Sequence, residues 1–182
     1  MGRGPLAGPV ALGAVALPAN LNEWGLWEGL RDSKKLSEKR REEWYDKVSE
    51  DGRLKWAVAA SGARIIDTKG IVFAIRDAAR RAVEKLELAP EEASLVLDRG
   101  IVLPKGWQQE QFTKGDETIP AIALASIMAK VTRDRYMMGL AGEHPPYGFE
   151  KHKGYGTAAH MAAIRAHGLV EGIHRRTFIH LG

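Results

Sequence analysis

The sequence contains no cysteine. That excludes disulfides, thiolate metal sites and cysteine nucleophiles, and it fits a reducing compartment. It also lacks any apolar run approaching the roughly 20 residues a membrane-spanning helix needs, so a cytoplasmic chain with no membrane partner is expected. Residues 5–19 loosely imitate a secretion signal, but Pro5, Gly8, Pro9 and Gly13 interrupt the apolar stretch and Arg3 is the one charge ahead of it. A folded strand is the better reading. No repeat, linker, low-complexity tract or coiled-coil pattern occurs, and a monomer is expected.

What is present suits one compact unit. At 182 residues with 45% hydrophobic content, the chain can build one full core and is too short for two ordinary ones. A single domain over 1–182 is therefore expected. The net charge of +4 and isoelectric point of 9.4 favour polyanionic partners without establishing one.

Periodicity predicts an α/β order. Val10 to Leu17, bounded by Pro9 and Pro18, reads as a strand, and 20–31 as a loop carrying Trp24 and Trp27. Ser37 caps a helix to about Glu50 that buries Trp44, Tyr45 and Val48. Leu54, Trp56 and Val58 alternate with Lys55 and Ala57, as on a half-buried strand. Ile71, Ile75, Ala78, Ala82 and Leu86 mark the apolar face of a helix from about Thr68 to Leu86. Leu95 to Asp98 reads as a strand covered on both faces, and Gln108 to Thr113 as a weaker edge strand. Thr118 is expected to cap a long helix with Pro120 in its first turn, reaching about Gly139. Thr157 caps a last helix that Gly168 stops.

Two aspartates stand out. Asp98 ends an apolar strand, where α/β sheets place ligand sites. Its plainer role is to turn the chain into Arg99-Gly100. Ser126, Lys130 and Asp134 are spaced by four and drift only about 80° around the long helix. They form a polar stripe whose plainer reading is a surface Lys130–Asp134 ion pair. If Asp98 and Asp134 converge, they suit Mg²⁺, a hard cation that takes oxygen ligands and substrate phosphates.

Three further segments suit a phosphate polymer. Gly2-Arg3-Gly4 lets backbone approach a ligand closely beside a phosphate-gripping arginine. Lys34 and Lys35 are adjacent cations just before a helix. Lys153-Gly154-Tyr155-Gly156-Thr157 sets an aromatic between glycines at a helix N-terminus. Each alone is equally a turn, a solvated loop or a cap.

Together, GRGPLAGPV, DSKKLSEKRR, TKGDETIPAIALASIMAKVTRDR, HKGYGT and IHRRTF strongly resemble the type 2 ribonucleases H, specifically bacterial ribonuclease HII, nearly end to end. The resemblance implies a ribonuclease H-like fold, a central mixed five-stranded sheet flanked by helices, with C-terminal helices. It implies an endonuclease acting on RNA in RNA–DNA hybrids, cutting 5′ of ribonucleotides embedded in duplex DNA and leaving 3′-hydroxyl and 5′-phosphate ends. Two divalent ions, Mg²⁺ or Mn²⁺, would be held by four carboxylates, of which Asp98 matches the third and Asp134 the fourth. Gly2, Arg3 and Gly4 would sense the ribose 2′-OH, Tyr155 the deoxynucleotide sugar beyond it, and Lys34, Lys35 and Lys153 the phosphates.

The family's first two acids are an Asp-Glu pair two residues ahead of the Gly-Arg-Gly loop. Here Met1 precedes Gly2 directly, so the expectation is a domain truncated at its N-terminus, with the first strand largely missing. Arg99 also stands where the family usually has glycine. Asp32 and Asp116 lie in matched segments with other roles. Three functions follow: a ribonuclease HII, a catalytically inactive hybrid-binding remnant, or a general phosphate-binding or two-metal hydrolase unrelated to hybrids. The pairing of GRG with KGYGT argues against the last, which needs no sensor for an RNA–DNA junction. Residues 174–176, His-Arg-Arg, are expected to support the substrate groove.

Overall fold

The computed structural model describes residues 1–21, 27–30 and 36–180; Trp24, Asp32, Lys34 and Lys35 lie outside them. Strand β1 (Val10–Ala16) pairs antiparallel with β2 (Lys55–Ser61), Val10 opposite Ser61 and Ala16 opposite Lys55. Strand β3 (Leu95–Asp98) pairs in parallel with β4 (Gln109–Phe112). Helices α1 (Glu38–Glu50), α2 (Ala63–Lys69) and α3 (Ile71–Glu84) precede β3. Helices α4 (Gly115–Thr118), α5 (Pro120–Glu143), α6 (Phe149–His152) and α7 (Ala158–His167) follow β4.

The alternation of β1 explains the layering. Val10, Leu12, Ala14 and Ala16 pack toward α3, with Ile75, Ala79 and Val83 among their partners. On the other face Val15 packs with Ala123, Leu124 and Ile127 of α5 and with Trp44 and Val48 of α1. Successive strand side chains point to opposite faces, so the β1–β2 sheet lies between α3 and the α1–α5 pair. Helix α5 comes close because Gly13 has no side chain: a Cβ there would sit 2.1 Å from the Ala125 carbonyl oxygen.

Four expectations need correction. The helix foreseen from Thr68 to Leu86 is two helices, broken at Gly70, whose φ of +83° belongs to the left-handed region. Thr118 does not cap α5; it ends α4, its hydroxyl donating to the Lys114 carbonyl, and Ile119 takes the cap position. Helix α5 runs on to Glu143, since Gly139 and Gly142 are tolerated inside a helix at moderate cost. On β2 it is Ala57 and Ala59 that are buried, with Trp56 and Val58 half-buried against α1 and α5.

The mixed α/β architecture is as expected, but in place of the expected five-stranded sheet the four strands among the described residues divide into two two-stranded sheets, β1–β2 and β3–β4. A cavity of about 880 Å³ lies between them, lined by β1, β3, α3 and α5. For that reason β3, expected to be covered on both faces, is only half-buried apart from Leu97.

Candidate nucleic-acid interface

Residues 1–9 form an irregular segment whose carbonyls are turned inward. Arg175, completely buried, donates from Nε to Gly8 O at 2.9 Å, from Nη1 to Arg3 O at 3.0 Å and from Nη2 to Gly2 O at 2.8 Å. Arg133, 2% exposed, donates from Nε to Pro9 O at 2.9 Å and from Nη2 to Ala7 O at 3.2 Å. Two guanidiniums thus satisfy five carbonyls that would otherwise be unpaired. Burial, then the neighbouring Arg133 charge, pushes Arg175 down to about 10. At that value Arg175 still carries its charge at neutral pH. Burial also lowers Arg133. At Gly2, φ is +80° and a Cβ would lie 2.4 Å from Arg133 Nε, so a side chain is excluded. Arg3 and Gly4 remain exposed.

The same segment is stapled to the C-terminal part. The N–H groups of Leu6 and Ala7 both donate to Gly154 O, Gly8 N–H donates to Ile173 O, and Arg175 N–H donates to Leu6 O. The tail is fixed in turn by Asp67, which accepts from the backbone of Arg176 and Thr177 and from the Thr177 hydroxyl.

Gly2-Arg3-Gly4 is therefore physically joined to the loop that carries Tyr155. The Tyr155 ring is 45% exposed, with the Arg133 guanidinium 6.0 Å from its centroid. Its backbone is held by a histidine pair. Val170 N–H donates to His174 Nδ1 at 2.8 Å, which leaves the His174 proton on Nε2. That proton is directed at His160 Nε2, 3.1 Å away, and His160 Nδ1–H then donates to Tyr155 O at 2.9 Å. Burial and the adjacent His160 depress His174 to about 4; burial likewise lowers His160. Both rings are neutral at pH 7, as the relay requires. Sequence reasoning missed this pair, because two histidines 14 positions apart carry no local signal.

Asp98 ends β3 and lines the cavity mouth with Met1, Gly2, Arg3, Gly4 and Tyr155. The Met1 amino group donates to Ala11 O at 2.6 Å. Burial, then the charges of Arg133, Arg3 and Lys130, drive it down to about 5, against an opposing pull from Asp98. Ser126 of α5 faces the same cavity. Asp134 does not line it: 6% exposed, it is ion-paired to Lys130 at 2.7 Å. Lys153 sits at φ +49°, and its Nζ donates to Glu150 O at 2.5 Å. Among the described residues no group of three His, Cys, Asp or Glu side chains is arranged to hold a metal ion. The Asp134 carboxylate is already neutralised by Lys130. Also among the described residues, no helix is long and apolar enough to cross a membrane.

A family model described as Ribonuclease HII matches residues 1–181. Ribonuclease HII of Halalkalibacterium halodurans is 44% identical over 178 residues, covering 98% of this chain and 64% of that protein. Ribonuclease HII of Delftia acidovorans is 50% identical over 178 residues, covering 97% and 72%. The chain thus spans somewhat under two thirds of the first of these relatives. Among solved structures, a chain of the PCNA:RNase HII complex from Archaeoglobus fulgidus superposes with a TM-score of 0.74 at 24% identity, covering 97% of this chain and 90% of that one. Bst-RNase HIII in complex with Mn²⁺ gives 0.70 at 16% identity, covering 97% and 64%. At these identities the structures establish a shared fold.

Proposed function

The chain belongs to the ribonuclease HII family, and from that premise we propose that it serves an endonuclease for RNA–DNA hybrids, cutting 5′ of ribonucleotides embedded in duplex DNA. The observation that carries this reading is the joining of Gly2-Arg3-Gly4 to the Tyr155 loop by Leu6 and Ala7 on Gly154. A reader of one strand step needs two contacts held at fixed separation, and this stapling supplies it. In the proposed roles, Gly2, Arg3 and Gly4 meet the 2′-OH that distinguishes RNA from DNA. Tyr155 packs on the neighbouring deoxyribose. Lys34, Lys35 and Lys153 bind phosphates and make affinity salt-dependent.

In the cleavage step a water oxygen bonds to phosphorus as the P–O3′ bond breaks, giving a 3′-hydroxyl and a 5′-phosphate. Asp98 and Asp134 would be this chain's ligands for a divalent ion, Mg²⁺ or Mn²⁺, which when bound would supply Lewis-acid stabilisation of that charge. The two-metal form of the reaction needs carboxylates beyond this pair. We read the protein as a cytoplasmic monomer.

A second reading, hybrid binding without turnover, is favoured by the Lys130–Asp134 ion pair and the small donor set. One experiment separates the two. A duplex carrying a single ribonucleotide is incubated with Mg²⁺ or Mn²⁺ and either the 182-residue chain or a version extended ahead of Gly2 by a strand ending Asp-Glu-Ala. We expect little turnover by the 182 residues and robust cleavage by the extended form, with 3′-hydroxyl ends. Tight binding with no cleavage by a well-folded extended form supports the second reading. Equal affinity for all-DNA duplex overturns both.

A further inference from the structure

His152, His160 and His174 lie against the segment that carries Tyr155, and every ring nitrogen of the three is bonded. His152 Nδ1 accepts from Gly154 N–H at 3.2 Å, so its Nε2–H donates to Tyr147 O at 2.8 Å. His174 Nδ1 accepts from Val170 N–H, which places its proton on Nε2, 3.1 Å from His160 Nε2. His160 must then accept at Nε2 and carry its own proton on Nδ1, where it meets Tyr155 O at 2.9 Å. We propose that His160 and His174 are positioning residues for Tyr155: the Val170 amide fixes the tautomer of His174, His174 fixes that of His160, and His160 holds the Tyr155 carbonyl. With Tyr155 as the junction contact proposed above, discrimination at a ribonucleotide then depends on two buried side chains that do not themselves meet substrate.

The loop needs such support. Lys153 and Gly154 take φ of +49° and +85°, and the left-handed lysine is strained unless its surroundings hold it. The Tyr155 ring is 45% exposed, so packing alone does not fix it. Its backbone is gripped on both sides instead. Tyr155 N–H donates to His152 O at 2.9 Å, and Tyr155 O takes Thr157 N–H at 2.8 Å besides the His160 proton.

A histidine that served packing alone would need no particular tautomer. Here the tautomer decides whether Tyr155 O is held or repelled. Reversing His160 would turn a lone pair toward that carbonyl and bring two Nε2–H groups together at 3.1 Å. The surroundings offer no other partner for a stray proton: His152 stacks on His160 at 4.4 Å, Phe149 lies beside both rings of the pair, and Tyr147 is 5.0 Å from His174.

The test exploits two amide side chains. His160→Asn places its amide near the Nδ1 position and can still donate to Tyr155 O. His160→Gln places it near Nε2, keeping His174 and losing Tyr155 O. In the 182-residue chain, imidazole nitrogen NMR at neutral pH should find the His160 proton on Nδ1 and the His174 proton on Nε2. Amide exchange at Tyr155 and Thr157 should quicken about five-fold in His160→Gln, as loss of one net hydrogen bond implies, and stay within about two-fold of the parent in His160→Asn. His174→Asn, which keeps the Val170 bond and loses Nε2–H, should quicken exchange too, but add nothing once residue 160 is Asn.

Anisotropy titrations then compare a duplex carrying one ribonucleotide with the same duplex in all-DNA form. His160→Gln should cut the ratio of the two affinities about five-fold and leave all-DNA affinity unchanged. A His160 proton on Nε2, or exchange at Tyr155 that His160→Gln leaves alone, overturns the positioning. Quickened exchange with an unchanged ratio overturns its link to discrimination. A parent chain that binds both duplexes equally refutes the function proposed above, while the tautomers and the exchange still decide how Tyr155 is held.

Discussion

The region around Gly2, Gly154 and Arg175 and the region between β1 and β3 are built on opposite plans. In the first, nearly every polar group has a partner: two buried guanidiniums take five carbonyls, and a histidine pair fixes the Tyr155 backbone. Phe149 and Tyr147 stack at 5.5 Å beneath it. In the second, two strand edges face a cavity of about 880 Å³. The surfaces proposed to read substrate are pre-formed and rigid, whereas the acids proposed for chemistry sit on α5 and at the rim of an open core. On the proposed roles, recognition and catalysis would depend on different parts of the structure, and substitutions should separate them.

The largest stability effect is expected from Arg175→Ala. It leaves the carbonyls of Gly2 and Gly8 buried and unpaired, at about 1–3 kcal/mol each, and removes the partner of the part-buried Arg3 carbonyl. A loss of several kcal/mol lowers Tm by roughly 2–4 °C for each. Asp98→Asn, at the rim, should shift Tm by less than about 2 °C while abolishing cleavage by the extended chain. Thermal melts of both variants decide the matter. If Arg175→Ala melts like the parent, the guanidinium network does not organise the 1–9 segment.

Much of this was legible in the sequence where the signal was local. Alternation in Val10 to Leu17, the Ser37 and Thr157 caps and the apolar face of Ile75, Ala78 and Ala82 all describe short-range geometry, and the structure has them. Gly70 hid the break between α2 and α3, because one glycine inside a helical period is often tolerated. For the site, the resemblance named the segments, but their joining is non-local. Arg175 reaches carbonyls 167 to 173 positions away, and no spacing rule anticipates that. The Lys130–Asp134 pair was visible at its i,i+4 spacing, though the plainer reading put it on the surface and Asp134 is buried.

Substrate reading gives the next contrast. Tyr155→Ala should reduce cleavage at a single ribonucleotide far more than overall hybrid affinity, because its ring is exposed and proposed to specify rather than position. Lys34→Ala or Lys153→Ala should weaken binding to every hybrid and lower the salt slope by about one phosphate contact. Anisotropy titrations over a salt series, alongside cleavage rates, measure both. Identical profiles for the tyrosine and lysine variants would remove the junction-sensing role from Tyr155.

The histidine pair adds a pH dependence to the well-packed region. His174 titrates near 4 in the folded chain against an ordinary 6.5, because burial disfavours its cation. The unfolded chain binds the proton first, so this stability is complete above about pH 6.5, is lost as pH falls toward 4, and changes no further below that. His174→Gln should flatten the Tm profile between pH 6.5 and 4. An unchanged slope would place the titration elsewhere.

The last contrast concerns Lys130, and it bears most directly on the acids. Its pairing at 2.7 Å is with a buried aspartate, so removing the lysine leaves an interior carboxylate without its cation. Lys130→Met, which keeps the aliphatic stem, should therefore lower Tm. If Asp134 is a metal ligand, removing a cation at that distance should strengthen Mn²⁺ binding, since the ion no longer competes with the ammonium for the carboxylate. Asp134→Asn should weaken it, and the double substitution should resemble Asp134→Asn alone. Electron paramagnetic titration of free Mn²⁺ reads all three without any need for turnover. Equal Mn²⁺ affinity across the parent and the three variants would leave Asp134 as the lysine's partner and nothing more, and the proposed metal site would then rest on Asp98 alone.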